Sequence, residues 1–180
     1  MKRFFSNSAL VPCLVLIVAL SACKRSGPNG KSSAVAGASP PRMVSLSSDV
    51  VRISSSAVQI PGNGSADAVL NLSISPGFHV NANPATFSYL IPTQLTTGKA
   101  EGIAVGPPVY PAAEKKKFQF AEQPLAVYQG EIPIRLNLRA ETNAAAGLHS
   151  LPVNVRVQAC DEEQCFPPAT INTTVSVTVK

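Results

Sequence analysis

The sequence predicts an all-β domain, a sandwich of two sheets, on three observations. Apolar and polar residues alternate with period 2 over several stretches, the pattern of a strand with one face buried and the other wet. Turn formers punctuate those stretches at short intervals, with 16 prolines and 11 glycines among 180 residues. No segment carries a convincing helical period. Many short strands with frequent turns over residues 44–180 argue for an immunoglobulin-like sandwich.

Taken in order, residues 50–53 and 57–60 are short strand candidates, closed by the turn Pro61-Gly62-Asn63-Gly64. Ala68, Leu70, Leu72 and Ile74 alternate with polar Asn71 and Ser73, a half-buried strand. Pro76-Gly77 turns the chain into Phe78-His79-Val80-Asn81. Residues 89–97 read as another strand, entered or bent at Pro92, and residues 99–111 as a Gly/Pro-rich crossing. From Glu131 to Ala140 the alternation is clean, with Ile132, Ile134, Leu136, Leu138 and Ala140 inward. Pro133 has no N–H to give a ladder, so an edge or an irregular pair is expected there.

The last two runs frame the stretch that carries chemistry. Leu151, Val153, Val155, Val157 and Ala159 alternate with Asn154, Arg156 and Gln158. Ile171, Thr173, Val175, Val177 and Val179 alternate with Asn172, Thr174, Ser176 and Thr178. Together they read as a β-hairpin, with Cys160 and Cys165 at its mouth and Asp161-Glu162-Glu163-Gln164 between them. Facing residues of such a pair have Cα atoms about 4.5–5.5 Å apart, a separation a disulfide tolerates. Cys160 has the parity of the polar face, so the pair is expected at or near the surface.

Upstream, Lys2 and Arg3 form a basic segment and residues 9–20 an apolar one too short to span a bilayer comfortably. Leu20-Ser21-Ala22-Cys23 follows and resembles the lipobox of bacterial lipoproteins. Residues 1–22 are then a signal peptide that is removed, and Cys23 becomes a lipidated N-terminus. Lys24 after the cysteine favours the outer membrane under the best-known sorting rule. Residues 23–43, small and turn-forming, read as a tether with a root-mean-square span of roughly 25 Å. Cys13 leaves with the signal and Cys23 carries the lipid. Cys160 and Cys165 remain as an even pair in an oxidising compartment. The formal charge of +5 falls to +3 without Lys2 and Arg3. That charge is weak and scattered, and it excludes a nucleic-acid footprint.

Four motifs in order now carry a family resemblance: Gly77-Phe78-His79-Val80-Asn81-Ala82-Asn83-Pro84, Tyr89-Leu90-Ile91-Pro92-Thr93, Val127-Tyr128-Gln129-Gly130-Glu131, and Gln158-Ala159-Cys160 with Cys165-Phe166-Pro167-Pro168. The chain from about residue 44 resembles the N-terminal periplasmic domain of the thiol:disulfide interchange protein DsbD. The resemblance implies an immunoglobulin-like sandwich whose cysteines, here Cys160 and Cys165, cycle between dithiol and disulfide. It implies periplasmic thioredoxin-like or disulfide-bonded partners and no cofactor. It also implies an aromatic cap loop over the cysteines, which falls on residues 117–122, with Phe118 or Phe120 as the lid. Four residues separate the cysteines here against five in the best-studied member. The family's membrane electron-transporting and thioredoxin-like domains are expected on a separate protein, which would supply the electrons.

Asp161, Glu162 and Glu163 disfavour a nearby thiolate by like-charge repulsion, so a relay activated by docking is expected rather than an aggressive nucleophile. His79 and His149 give no recognisable metal-ligand spacing with the cysteines, and no metal site is expected. Lys115-Lys116-Lys117 reads as a solvated loop. Two readings stand: a membrane-anchored thiol–disulfide relay, and a non-catalytic protein-interaction sandwich in which Cys160–Cys165 is a permanent staple.

Overall fold

The computed structural model describes residues 45–180. The expected signal peptide, Cys23 and the whole of the expected tether lie outside the described residues. After a single 3-10 turn at Ser47–Asp49, the described chain is strand and loop. One sheet is built from β1 (Val51–Ser55), β3 (Ser65–Ile74), β9 (Glu131–Ala140) and β6 (Ile103–Val105), in the order β1-β3-β9-β6. A second holds β2 (Val58–Ile60), β12 (Ala169–Val179), β10 (Gly147–Val157) and β5 (Gln94–Thr97), in the order β2-β12-β10-β5.

Lettered along the chain, β1, β3, β5, β6, β9, β10 and β12 are strands A to G. The two orders become A-B-E-D and G-F-C, the constant-type immunoglobulin arrangement. The short β2 leaves the first sheet and runs parallel to β12, so the opening segment of the chain is shared between both sheets. The alternation seen in the sequence is the alternation of burial. Leu136 and Leu138 of β9 face Leu151, Val153 and Val155 of β10 and Val175 and Val177 of β12 across one continuous core, all fully buried. β-Branched and leucine side chains at every second position therefore select this layer packing over any helix.

β9 is an inner strand, between β3 and β6, yet Pro133 sits where its neighbour on the β6 side has ended. Arg135 exchanges two backbone hydrogen bonds with Val109, which places the odd residues of β9 toward the β6 side. β6 itself ends at Val105. Pro133 lies beyond the Val109 bridge, where the ladder needs no donor.

A third, smaller sheet has the order β11-β4-β8-β7. Its strands are β4 (His79–Asn81), β7 (Glu114–Lys116), β8 (Leu125–Tyr128) and β11 (Ala159–Cys160). β4 comes from the B–C connection, β7 and β8 from the D–E connection, and β11 from the F–G connection. The loops at one end of the sandwich have thus paired into a sheet of their own.

Several expectations are corrected here. The strand expected over residues 89–97 begins only at Gln94. Upstream of it the backbone is held by asparagine side chains instead of a ladder: Asn81 Nδ2 donates to the Ile91 carbonyl and Asn83 Nδ2 to that of Thr93. The crossing over 99–111 contains β6, entered through Gly102 at positive φ. Lys115 and Lys116 are not in a solvated loop but in β7, paired with Ala126 and Leu125.

Candidate functional site

Cys160 lies on that end sheet, and Cys165 bridges to it from the loop that follows. β10 stops at Val157, and the chain resumes as β11 two residues later in a different sheet. The break at Gln158 resets the parity. Ala159 and Cys160 are therefore both buried, where uninterrupted alternation would have exposed Cys160. Cys165 is exposed. The pair forms a disulfide with an S–S distance of 2.01 Å and a Cα–Cα distance of 3.9 Å, closer than the separation expected of a regular hairpin pair. One cysteine is thus exposed and the other buried, an asymmetry that the sequence pattern does not contain.

The loop between them is held by its own polar groups. Asp161 Oδ1 accepts the backbone N–H groups of Glu163 and Gln164, each at 2.8 Å, and the Asp161 N–H donates to the Gln164 carbonyl at 2.9 Å. An aspartate that caps its own turn in this way fixes the loop locally. Glu162 pairs with Lys116 of β7 at 2.8 Å, a contact that links the D–E connection to the cysteine loop. Two of the three acidic side chains expected to repel a thiolate are thus already engaged with positive or donor groups.

Beneath the loop, Cys160 stands opposite His79 in the β11–β4 register. His79 is 1% exposed, and its Nε2 is buried with no hydrogen-bond partner. Its pKa is lowered to about 4, first by burial, which disfavours the charged imidazolium, and next by the Lys116 ammonium; Glu162 and Asp161 act in the opposite sense. The imidazole is neutral at pH 7.

Phe118 is buried and stacks on His79 with ring centroids 4.1 Å apart. Phe120, 44% exposed, stacks on Phe118 at 5.3 Å, and Lys116 Nζ lies 5.3 Å from the Phe118 ring centre. Lys117 Nζ donates to the carbonyls of Ala121 and Glu122, which folds the 117–122 loop back on itself. Of the two phenylalanines read as possible lids, Phe118 is the one packed next to the cysteine side of the sheet, and Phe120 is its outer neighbour. Phe118 is also a core residue, clustered with Leu125 and Val127. His149 lies toward the opposite end of β10, with its Nε2 against the Ala145 carbonyl at 2.7 Å. Among the described residues no group of three or more His, Cys, Asp or Glu side chains could hold a metal ion.

Ser47 is a site residue that sequence reasoning missed. It is fully buried, its Oγ donates to the Pro167 carbonyl at 2.7 Å and accepts the Ala159 N–H at 2.9 Å. It braces both arms of the cysteine loop from a position more than a hundred residues away in sequence. A lone serine in a Ser-rich stretch gives no pattern that could have revealed this.

Comparison with known proteins adds a family. The family model described as the thiol:disulfide interchange protein DsbD, N-terminal, matches residues 52–176. No curated protein matches the chain. The DsbD N-terminal domain of Neisseria meningitidis in its reduced form is 17% identical, with 62% of this chain and 77% of that one covered at a TM-score of 0.41. The N-terminal periplasmic domain of ScsB from Proteus mirabilis is 10% identical, with 72% of this chain and 47% of that one covered at a TM-score of 0.49.

Proposed function

The chain belongs to the family of DsbD N-terminal domains, and from that premise we propose that it is a membrane-anchored thiol–disulfide exchange module that relays electrons between periplasmic dithiol and disulfide proteins through Cys160 and Cys165. The observation that carries this reading is the asymmetric disulfide, exposed at Cys165 and buried at Cys160. Exchange requires that an incoming thiolate reach one sulfur and expel the other. Cys165 is the sulfur that takes the attack, and Cys160 is the one expelled. Phe118 and Phe120 form the cap, and a docking partner displaces it. Cys23 carries the lipid that holds the domain at the periplasmic face of a membrane, the outer one under the sorting rule. The partners are thioredoxin-like or disulfide-bonded periplasmic proteins, and a separate membrane protein supplies the electrons.

The test is the reduction potential of the pair in the domain lacking residues 1–42. A value of about −180 to −270 mV fits a relay, while one below about −300 mV makes the disulfide a permanent staple and overturns the proposal. With a relay potential in hand, Cys160→Ser is expected to accumulate mixed disulfides through Cys165, and Cys165→Ser to accumulate few.

A further inference from the structure

We propose that His79 is the hydrogen-bond donor that receives the Cys160 thiolate when the Cys160–Cys165 bond is broken. The inference rests on the exchange reading above and concerns a residue to which that reading gives no part. Its basis is geometric. His79 and Cys160 are direct partners in the β4–β11 ladder, and both are 1% exposed. Side chains opposed in this way stand on one face of the sheet, with Cβ atoms about 4.5–5.5 Å apart. The Nε2 atom is buried and unpartnered in the disulfide form. A buried polar atom left without a partner is costly, and native proteins seldom keep one without a use.

The exchange step shows the use. A partner thiolate attacks Cys165 Sγ; a bond forms between the partner sulfur and Cys165, the Cys160–Cys165 bond breaks, and its electron pair moves to Cys160 Sγ. The second thiol of the partner then displaces Cys165 as a thiolate and closes the partner's own disulfide. The two thiolates take up the two protons that the partner dithiol lost, so a dithiol has become a disulfide and a disulfide a dithiol. The difficult moment is the first, because negative charge appears on a sulfur shut away from water.

A neutral imidazole in its Nε2–H tautomer has a donor that meets only weakly accepting groups in the disulfide state and a strong acceptor once the thiolate exists. Such a donor stabilises the product of cleavage more than its reactant, without reorganising. The depressed pKa fits this role, since a neutral ring keeps the site uncharged until the thiolate forms. Lys116 from β7 and Asp161 and Glu162 from the cysteine loop are the charged groups that act on the ring, and the stack on Phe118 fixes its plane.

The experiment follows reduction of the 160–165 disulfide in the full chain by dithiothreitol, read by alkylation and mass spectrometry of the peptide that contains it. His79→Phe keeps a flat ring against Phe118 but removes the donor, and reduction is expected to slow about 10-fold or more, the loss of a hydrogen bond to a charged group. His79→Gln restores an N–H and is expected to slow it less. Equal slowing in both variants, or no slowing in either, overturns the proposal. Should His79→Phe fail to fold, the wild-type chain decides the matter. In its reduced form the His79 ring nitrogens, followed by NMR, are expected to shift at the pH where Cys160 ionises, and a ring indifferent to that ionisation overturns the proposal. A pair that dithiothreitol reduces at a relay-like potential with His79 indifferent leaves the exchange reading intact, so the two failures are distinguishable.

Discussion

The body of the sandwich and its loop end meet at the ends of β3, β9, β10 and β12, but the body keeps only apolar residues inside while the loop end mixes apolar and polar ones. In the body the buried positions are aliphatic, from Leu70 and Leu72 of β3 to Val175 and Val177 of β12. At the loop end the chain has buried Ser47, His79, Asn81 and Thr93, which are the buried polar residues among the described ones. Three of their side-chain polar atoms are paired: Thr93 Oγ1 donates to the Asn81 carbonyl at 2.7 Å, Asn81 Nδ2 donates to the Ile91 carbonyl, and Ser47 Oγ bridges Ala159 and Pro167. His79 Nε2 and Asn81 Oδ1 are not. The body is stabilised by area removed from water, which asks only for apolar side chains of the right parity. The end sheet holds a disulfide in one pose through directional bonds, and leaves two polar atoms in reserve where the chemistry is.

The largest effect that separates the regions is a cavity in the body. Leu136 is fully buried at the centre of β9. Leu136→Ala is expected to destabilise the domain by about 3–5 kcal/mol in urea unfolding, the usual cost of a core leucine. The rate at which dithiothreitol reduces the 160–165 disulfide in the molecules that remain folded is expected to be unchanged. A reduction rate that tracked the lost stability would break the comparison, because the end sheet would then open only when the body does.

An acid limb comes next. The folded-state pKa of His79, about 4, lies below the ordinary histidine value of 6.5. Between those values the unfolded chain binds the proton that the folded chain refuses, so stability falls as pH drops from 6.5 to 4 and is unaffected by this group above 6.5. The full loss is about 3 kcal/mol, from roughly 1.4 kcal/mol per pKa unit. Urea midpoints measured from pH 7 to pH 4 are expected to fall less steeply in His79→Gln than in the wild type. Parallel curves would mean that His79 is reached by water and is no part of a dry end sheet.

The same contrast explains what could be read from the chain alone. The strands of the body announce themselves because one face is buried and the other wet over ten or eleven residues, as in β9, β10 and β12. The end sheet is made of pieces two to four residues long, and β7 reads Glu-Lys-Lys. No period can be seen in so short a piece, and pairing that depends on three separate connections leaves no local signal. The cysteines were legible as residues and as a family motif. The burial of Cys160 was not, because the parity argument assumes an unbroken strand and β10 breaks at Gln158. Phe118 and Phe120 were legible as a pair of candidates, and only packing separates the inner ring from the outer one.

The smallest effect tests how the regions are joined. Ser47→Ala removes the hydroxyl that accepts the Ala159 N–H and donates to the Pro167 carbonyl. The Pro167 carbonyl keeps the Ser47 backbone N–H at 3.2 Å, so the group left unpaired is the buried amide next to Cys160. The expected cost is about 2 kcal/mol, within the range for orphaning one buried donor. Its location matters more than its size. If Ser47 braces the cysteine loop, hydrogen exchange at Ala159 accelerates and dithiothreitol reduces the disulfide faster, while exchange in β9 and β12 changes only by the global destabilisation. If the amides of β9 accelerate beyond that, the serine is part of the body's own cooperative unit. The loop end would then be an extension of the sandwich rather than a second, separately held layer of structure.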